Sequence, residues 1–544
     1  MGELKDRIFA ALGELTGPQV RAFWAAKHPI VWALALAIGV TTAFAILGFR
    51  MAIGYVQWLW LGNTHENVVA TLAAMREPWV VVAAPTVGGL VVGLILWKVM
   101  RSRRAHGIAD VIEAGALFNA QMSLRTGLTS ALVSAISIGS GASVGREGPA
   151  VHLGATMAAF LDRQFNLTPA ARRVLLASGA AAAVSASFNA PIAGVLFAHE
   201  IILGHFALSA FVPTVLAAVV ATLITRAWLG DFPAFILSDQ HIASYWEFPA
   251  FALLGLVCGL VAVCFQLSVM VADWSARRVT LPLWLRPALG GLAVGCMALS
   301  VPEVLGVGYE ATTLALRESY SLGWLFVLLV AKTAATAICL ASRFGGGVFS
   351  PSLYLGAMAG GAFGIIAAAA FPEYGSNYGV YALLGMGAVA GAVLGAPIST
   401  AVIVFELTGG YELTIAILLS VSIASMVMQG FLGKSFFQWQ LAQRGVFLGE
   451  GAHLRIVRTW TVRDFLKPLM PEELADPPEL EDRPKLIPTD TLETALRAFD
   501  EGGYTRLAVF DKREGGQHIG WADQLAALAT YNRALIDANV EEHR

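Results

Sequence analysis

The chain has 544 residues, of which 57% are hydrophobic and 14% charged, whereas a soluble protein carries about 25% charged residues. That balance excludes a soluble globular enzyme and places most of the chain in lipid. A formal net charge of −2 leaves no global basic field, which excludes nucleic acid as a partner.

In chain order, residues 1–29 form an amphipathic, charged segment containing Lys5, Arg7, Arg21 and Lys27. It lacks the short apolar core and small-residue cleavage site of a signal peptide, so it is read as a retained cytoplasmic N-terminus. Apolar stretches around residues 30–49, 79–97, 205–228, 250–272 and 324–340 are long enough to cross about 30 Å of hydrocarbon. The basic runs Lys98 to Arg104 and Arg172 to Arg173, with the charged tail, mark the cytoplasmic side. A multi-pass protein of the cell inner or plasma membrane with both termini in the cytoplasm is expected. Cys258, Cys264, Cys296 and Cys339 sit singly in apolar segments, which is neither a disulfide framework nor a metal spacing, and all four are expected in the core. From about residue 452 the chain turns acidic and proline-rich, as in PEELADPPELEDRPK, with no long apolar run. There, TLETALRAFDEG places Leu492, Leu496 and Phe499 on one helical face, and RLAVFD reads as a buried strand, so residues 446–544 are expected to hold a small cytoplasmic α/β domain.

The membrane part repeats itself. GREGPAVHLG (Gly145 to Gly154) and GVFSPSLYLG (Gly347 to Gly356) share Gly at the start, Pro four later, Leu eight later and Gly nine later. Further on, Glu200 lies nine residues after Pro191, and Glu406 nine after Pro397. The offsets are 202 for Pro149 and Pro351 and 206 for both later pairs. Two duplicated halves, residues 30–235 and 236–445, follow, and duplicated halves with glycine- and proline-interrupted helices point to a transport site at their interface.

Proline fits the first turn of a helix, so Pro149 and Pro351 should each open one with glycines just before it. Helix starts inside the membrane present free N–H groups and a positive dipole end, an anion site without a cationic side chain. Such a site suits a conductor, because a fixed lysine would hold the ion too tightly to release it. Glycines alone also serve close helix packing; two motifs at one offset favour the ion site. Glu147 stands where a bound anion would otherwise be, so an ionised Glu147 competes with the anion and a protonated one releases the site. The bland reading is a glutamate that stabilises the helix dipole or pairs with Arg146. An intramembrane hydrolase built on Ser140 or Ser143 with His152 or His199 lacks a strained nucleophile turn and an orienting acid, so no catalytic residue is expected. His106, His152 and His199 share no ligand spacing on one helix face, so no metal or other cofactor is expected.

The blocks GSGASVGREGPAVHLGA, SFNAPIAGVLFAHE, GGGVFSPSLYLGAMAGG and GAPISTAVIVFELTGGY resemble, in family order and over nearly all of the membrane region, the conserved blocks of the CLC chloride channels and chloride/proton antiporters. The resemblance implies an all-α polytopic fold of two inverted halves with interrupted helices, and a homodimer with a separate pore in each subunit. It also implies that Glu147 is the gating glutamate, and that backbone N–H groups of Arg146, Glu147, Gly148, Val348 and Phe349 line the anion sites.

Three departures stand out against that resemblance. The family's Gly-Ser-Gly-Ile-Pro block reads AHGIA here, so His106 replaces the serine that binds the central anion and Ala109 replaces the proline. Two readings of His106 stand: a ring N–H given to the anion, or a side chain turned to the cytoplasm with no ion contact. In GKSFF, Phe437 takes the place of the family's central-site tyrosine and brings no hydroxyl; it either constricts the path or simply packs, and a slip of one residue would substitute Phe436. The antiporters carry two consecutive glutamates where this chain has Glu200 and then Ile201, and an aliphatic side chain cannot relay a proton. Glu200 and Glu406 are instead expected to satisfy buried partners. The tail resembles a CBS domain in TVRDFL, the helix and strand above and HIGW, but Gly520 is followed by Asp523 and Ala526 where a ribose-binding motif is usual, which argues against nucleotide binding. The expectation is a passive chloride channel gated by Glu147, with protons as regulator; the runner-up is a chloride/proton antiporter with a non-standard internal proton route.

Overall fold

The structure, a computed structural model, describes residues 27–117, 119–230, 242, 244–370, 376–408, 411–446, 456–457, 460–469, 484–512 and 516–543. The amphipathic segment up to residue 26 and the acidic linker over 470–483 lie outside the described residues. The chain divides into two compact units, Met1–Gln440 and Leu441–Arg544.

The first unit is helical. Its first half runs α1 (His28–Leu61), α2 (Val69–Ala74), α3 (Pro78–Lys98), α4 (Ile108–Leu117), α5 (Leu124–Gly139), α6 (Glu147–Asp162), α7 (Pro169–Phe188), α8 (Pro191–Phe197, continued by a π-helical turn Ala198–Leu203) and α9 (Leu208–Leu229). The second half follows the same order with α10 (Phe248–Arg278), α11 (Arg286–Ala298), α12 (Tyr309–Leu316), α13 (Leu322–Ala341), α14 (Phe349–Ala370), α15 (Tyr378–Leu394), α16 (Pro397–Thr408) and α17 (Tyr411–Leu432), then a short α18 (Phe436–Ala442). Prolines open α3, α7, α8 and α16, where the missing N–H costs nothing. Seven helical stretches among the described residues are long and apolar enough to cross a membrane, and side chains such as Phe44, Met51, Leu223, Val271 and Val330 stay on the outer surface. This is a polytopic membrane protein.

The repeated motifs determine how the halves pack. Residues 175–188 of α7 and 379–394 of α15 are buried on every face, as expected of helices apolar all round. Small residues let these central helices touch their neighbours. A Cβ on Gly154 would lie 2.3 Å from the Gly179 carbonyl oxygen, and one on Gly356 would lie 2.2 Å from that of Gly385. The same contact thus recurs in both halves, backbone against backbone. One sequence expectation fails: Cys258 and Cys339 are buried, but Cys264 and Cys296 are exposed. Apolar sequence alone does not separate the core from a lipid-facing surface, since both exclude water.

The second unit carries β1 (Leu466–Pro468), α19 (Leu492–Gly502), β2 (Arg506–Phe510), β3 (His518–Asp523) and α20 (Gln524–His543). The sheet order is β1-β3-β2, antiparallel throughout, with Leu507 opposite Ala522 and Lys467 opposite Trp521. The Thr491 hydroxyl accepts from the Thr494 N–H to cap α19, and Gly503 ends that helix in the left-handed region. Leu492, Phe499, Leu507 and Val509 form the core with Leu496 packed at its edge, so the expected helix face and strand are both present.

Candidate anion pathway

The loops that lead into α6 and α14 pair with each other. Gly145 N–H donates to the Gly347 carbonyl at 2.7 Å, and Gly347 N–H donates to that of Gly145 at 2.8 Å. A reciprocal bridge of this kind holds the two helix starts side by side, and a Cβ on Gly148 would be only 3.4 Å from the Gly347 Cα. Both motifs are helix N-termini, as the prolines indicated, although each helix begins two residues before its proline, at Glu147 and Phe349. Arg146, Glu147, Gly148, Val348 and Phe349 are all buried. The first N–H groups of a helix have no intrahelical acceptor, so two sets of donors converge in the interior of the membrane unit.

Glu147 lies across this junction with 1% of its surface exposed. Its Oε2 accepts from the Ser350 hydroxyl at 2.5 Å and its Oε1 from the Tyr309 hydroxyl at 3.1 Å. A side chain of the first half therefore fills the mouth of α14 in the second. Tyr309 and Ser350 were not singled out by the sequence; the one available signal was that the 202-residue offset sets Ser350 against Gly148. The Arg146 guanidinium pairs instead with Glu66, reaches the Ser187 carbonyl at 3.4 Å and lies 4.8 Å from the centre of the Tyr309 ring. Its contact with the Glu147 carboxylate is 3.8 Å, longer than either hydroxyl contact. A cavity of about 820 Å³ opens beside it, lined among others by Arg50, Glu66, Arg146, Arg226 and Tyr309.

The later repeat proves to be a reciprocal cap. Glu200 accepts from the N–H groups of Ile398 and Ser399 at 3.0 and 2.8 Å, at the start of α16. Glu406 accepts from those of Ile192 and Ala193 at 3.0 and 2.7 Å, at the start of α8. Each carboxylate thus neutralises the positive end of a helix in the opposite half, the structural service expected of both. Ile201, on the π-helical turn after α8, packs against the main core.

His106 lies before α4 with its side chain 18% exposed. Its Nδ1 is 3.0 Å from Asp110 Oδ1 and its Nε2 2.9 Å from Ser102 Oγ, so both ring nitrogens are engaged by neighbours on its own loop and helix. Asp110 also takes two contacts from Arg104, at 2.5 and 3.0 Å, and accepts from the Gly107 N–H at 2.9 Å. Phe436 and Phe437 are both buried, their rings edge-on at 6.1 Å. Ser140 donates to the Ser137 carbonyl, Ser143 contacts Thr336, and His199 contacts the His205 carbonyl and Thr214. Of the residues weighed for a hydrolase, Ser140, Ser143 and His199 are therefore engaged with other groups. Among the described residues no group of three or more His, Cys, Asp or Glu is placed to hold a metal ion.

Two inverted, interlocked helical halves with facing helix starts at their junction define a membrane transport protein that handles anions. Residues 88–429 match the voltage gated chloride channel family, and the chain belongs to that family, the CLC proteins. It is 34% identical over 392 residues to a ClcB-like protein of Ralstonia nicotianae, covering 71% of this chain and 91% of the relative. It is 31% identical over 418 residues to the voltage-gated ClC-type chloride channel ClcB of Salmonella typhimurium, covering 75% and 98%. Among solved structures, a slow cyanobacterial Cl−/H+ antiporter aligns with a TM-score of 0.66 at 23% identity, over 76% of this chain and 97% of that one. At that identity the likeness establishes the fold.

Proposed function

We propose that the protein is a chloride channel that conducts small anions passively through a pore in each subunit, with Glu147 as its gate. The observation that carries this reading is the Glu147 carboxylate held by Ser350 and Tyr309 at the start of α14, a cradle of donors that suits an anion equally well. Ionised, the side chain occupies the path; protonated, it loses its claim on those donors and the anion takes them. Backbone N–H groups of Arg146, Glu147, Gly148, Val348 and Phe349 supply the remaining donors. Ile201 supports a channel over an exchanger, since no acid stands there to carry protons. His106 and Phe437 flank the central site, where the family's two hydroxyls are replaced. The working unit is a homodimer in the cell inner membrane with both termini in the cytoplasm, a side assignment that rests on the basic runs near residues 98–104 and 172–173. The CBS-like tail acts without a nucleotide.

The deciding experiment reconstitutes the purified protein in liposomes with a chloride gradient and records chloride efflux and external pH under a controlled membrane potential. Flux that reverses at the chloride equilibrium potential with no proton movement supports the channel. Uphill proton movement driven by chloride would establish an antiporter and refute the argument from Ile201.

A further inference from the structure

The departure at His106 stands beside a second histidine, on the helix that Glu147 opens. The His106 ring centre lies 5.4 Å from that of His152, a spacing at which two imidazoles exchange a proton directly after a small rotation or through one water. His152 is 3% exposed, and its Nδ1 has no hydrogen-bond partner. An unpaired polar atom at that depth costs stability and calls for a use. His152 is on α6, five residues after Glu147, which is about 7.5 Å along the helix axis at 1.5 Å per residue. His106 is on the loop that follows the basic run and is partly open to solvent. Asp110, on α4, holds its Nδ1, and α4 packs against both α6 and the π-helical turn that carries Ile201. The charged groups facing the pair among the described residues are Arg104 and Asp110, with the Ser102 and Ser130 hydroxyls beside them.

We infer that His106 and His152 form a proton-carrying pair linking the face of the basic run to the interior of the Glu147 motif. The inference rests on the reading of Glu147 as the proton-binding gate. Nδ1–H of His106 stays on the Asp110 carboxylate, which leaves Nε2 as the acceptor once its contact with Ser102 opens. A proton taken up there passes to the bare Nδ1 of His152, and the Nε2 proton of His152 leaves towards Glu147. One proton enters, one departs, and both rings return to neutral; His152 is left with its proton on Nδ1, and exchange of that proton back to Nε2 readies the pair for the next transfer. Asp110 stabilises each cationic stage, while the ion-paired Arg104 limits how long it lasts. The sequence supplies a second route to the gate, by imidazoles in place of a carboxylate.

The test uses the full chain in liposomes with random insertion, and reads the change in chloride efflux after a jump in external pH, each variant normalised to its own flux before the jump. External protons reach the face of the basic run only in the vesicles where that face points outward. In the wild type both populations respond. His152→Gln is expected to remove about half of the response, the share carried by that population, since general acid–base transfer through it is lost. His106→Ala is expected to do the same, with the lost part restored by free imidazole in the bath, a rescue that a merely structural histidine would not show. Glu147→Gln is expected to lose the response from both populations. A full response in His152→Gln, or a His106→Ala defect that imidazole leaves unchanged, overturns the relay. A full response in Glu147→Gln overturns the gate instead, so the two failures are distinguishable.

Discussion

The oxygens of Glu147 are held by hydroxyls from two second-half helices, so under the proposed gating role the ionised side chain is stabilised where it would block. A hydrogen bond to a charged group contributes about 1.5–3 kcal/mol, and about 1.4 kcal/mol is a factor of ten in an equilibrium. Ser350→Ala is therefore expected to raise chloride flux at neutral pH by on the order of tenfold; flux at the wild-type level in the liposome assay would show that the hydroxyl does not hold the gate. Glu147→Ala is expected to make flux nearly independent of pH, measured as efflux rates over a pH series. The place of Glu147 at a helix start was legible in the sequence because its motif surrounds it in one continuous stretch. Ser350 and Tyr309 were not, because they lie 203 and 162 residues away and nothing local records where a hydroxyl points. The exchange of serine for histidine at residue 106 was equally visible, whereas its tie to Asp110 and Ser102 is a property of the folded loop.

Among the elements, the crossed caps carry the clearest expectation. Glu406 gives one oxygen to each of two N–H groups at the start of α8, and a glutamine there would keep one acceptor and turn an amide donor towards the other N–H. The orphaned group costs about 1–3 kcal/mol, so Glu406→Gln should lower the apparent melting temperature of the solubilised protein; an unchanged value would mean that the cap contributes no stability. The α14–α15 contact gives a second test. A Cβ on Gly360 would lie 2.0 Å from the Tyr381 carbonyl oxygen, whereas one on Gly48 meets nothing within 4 Å. Gly360→Ala should destabilise by about 1–3 kcal/mol or more and Gly48→Ala should not, as thermal unfolding in detergent will report. The nine-residue spacing from proline to glutamate was readable, and so was the structural role of both glutamates. Which helix each one caps was not, because the caps cross between halves. Cys264 and Cys296 were misplaced for a different reason: lipid is as apolar as the core, so hydropathy has no term for direction.

At the scale of the molecule, the duplication was legible because the motif pairs keep nearly one offset, and two such halves have few ways to bury their glycine-rich faces other than against each other. The tail has its own core around Leu492, Phe499 and Val509, which no membrane helix is needed to complete. A chain ending at residue 445 is accordingly expected to keep chloride flux within about twofold of the full chain, as separately cored units usually permit; loss of flux with retained membrane insertion would assign the tail a part in conduction.

The crossed caps also put the nascent chain on a clock. Glu406 leaves the ribosome 214 residues after Ile192, whose N–H it will accept. At about 5–20 residues per second that is roughly 10–40 s of synthesis, during which the two N–H groups at the start of α8 lack the carboxylate that caps them in the folded protein. The first half is thus a template that its own later half completes, and slowing elongation lengthens the interval in which quality control meets an unfinished membrane protein.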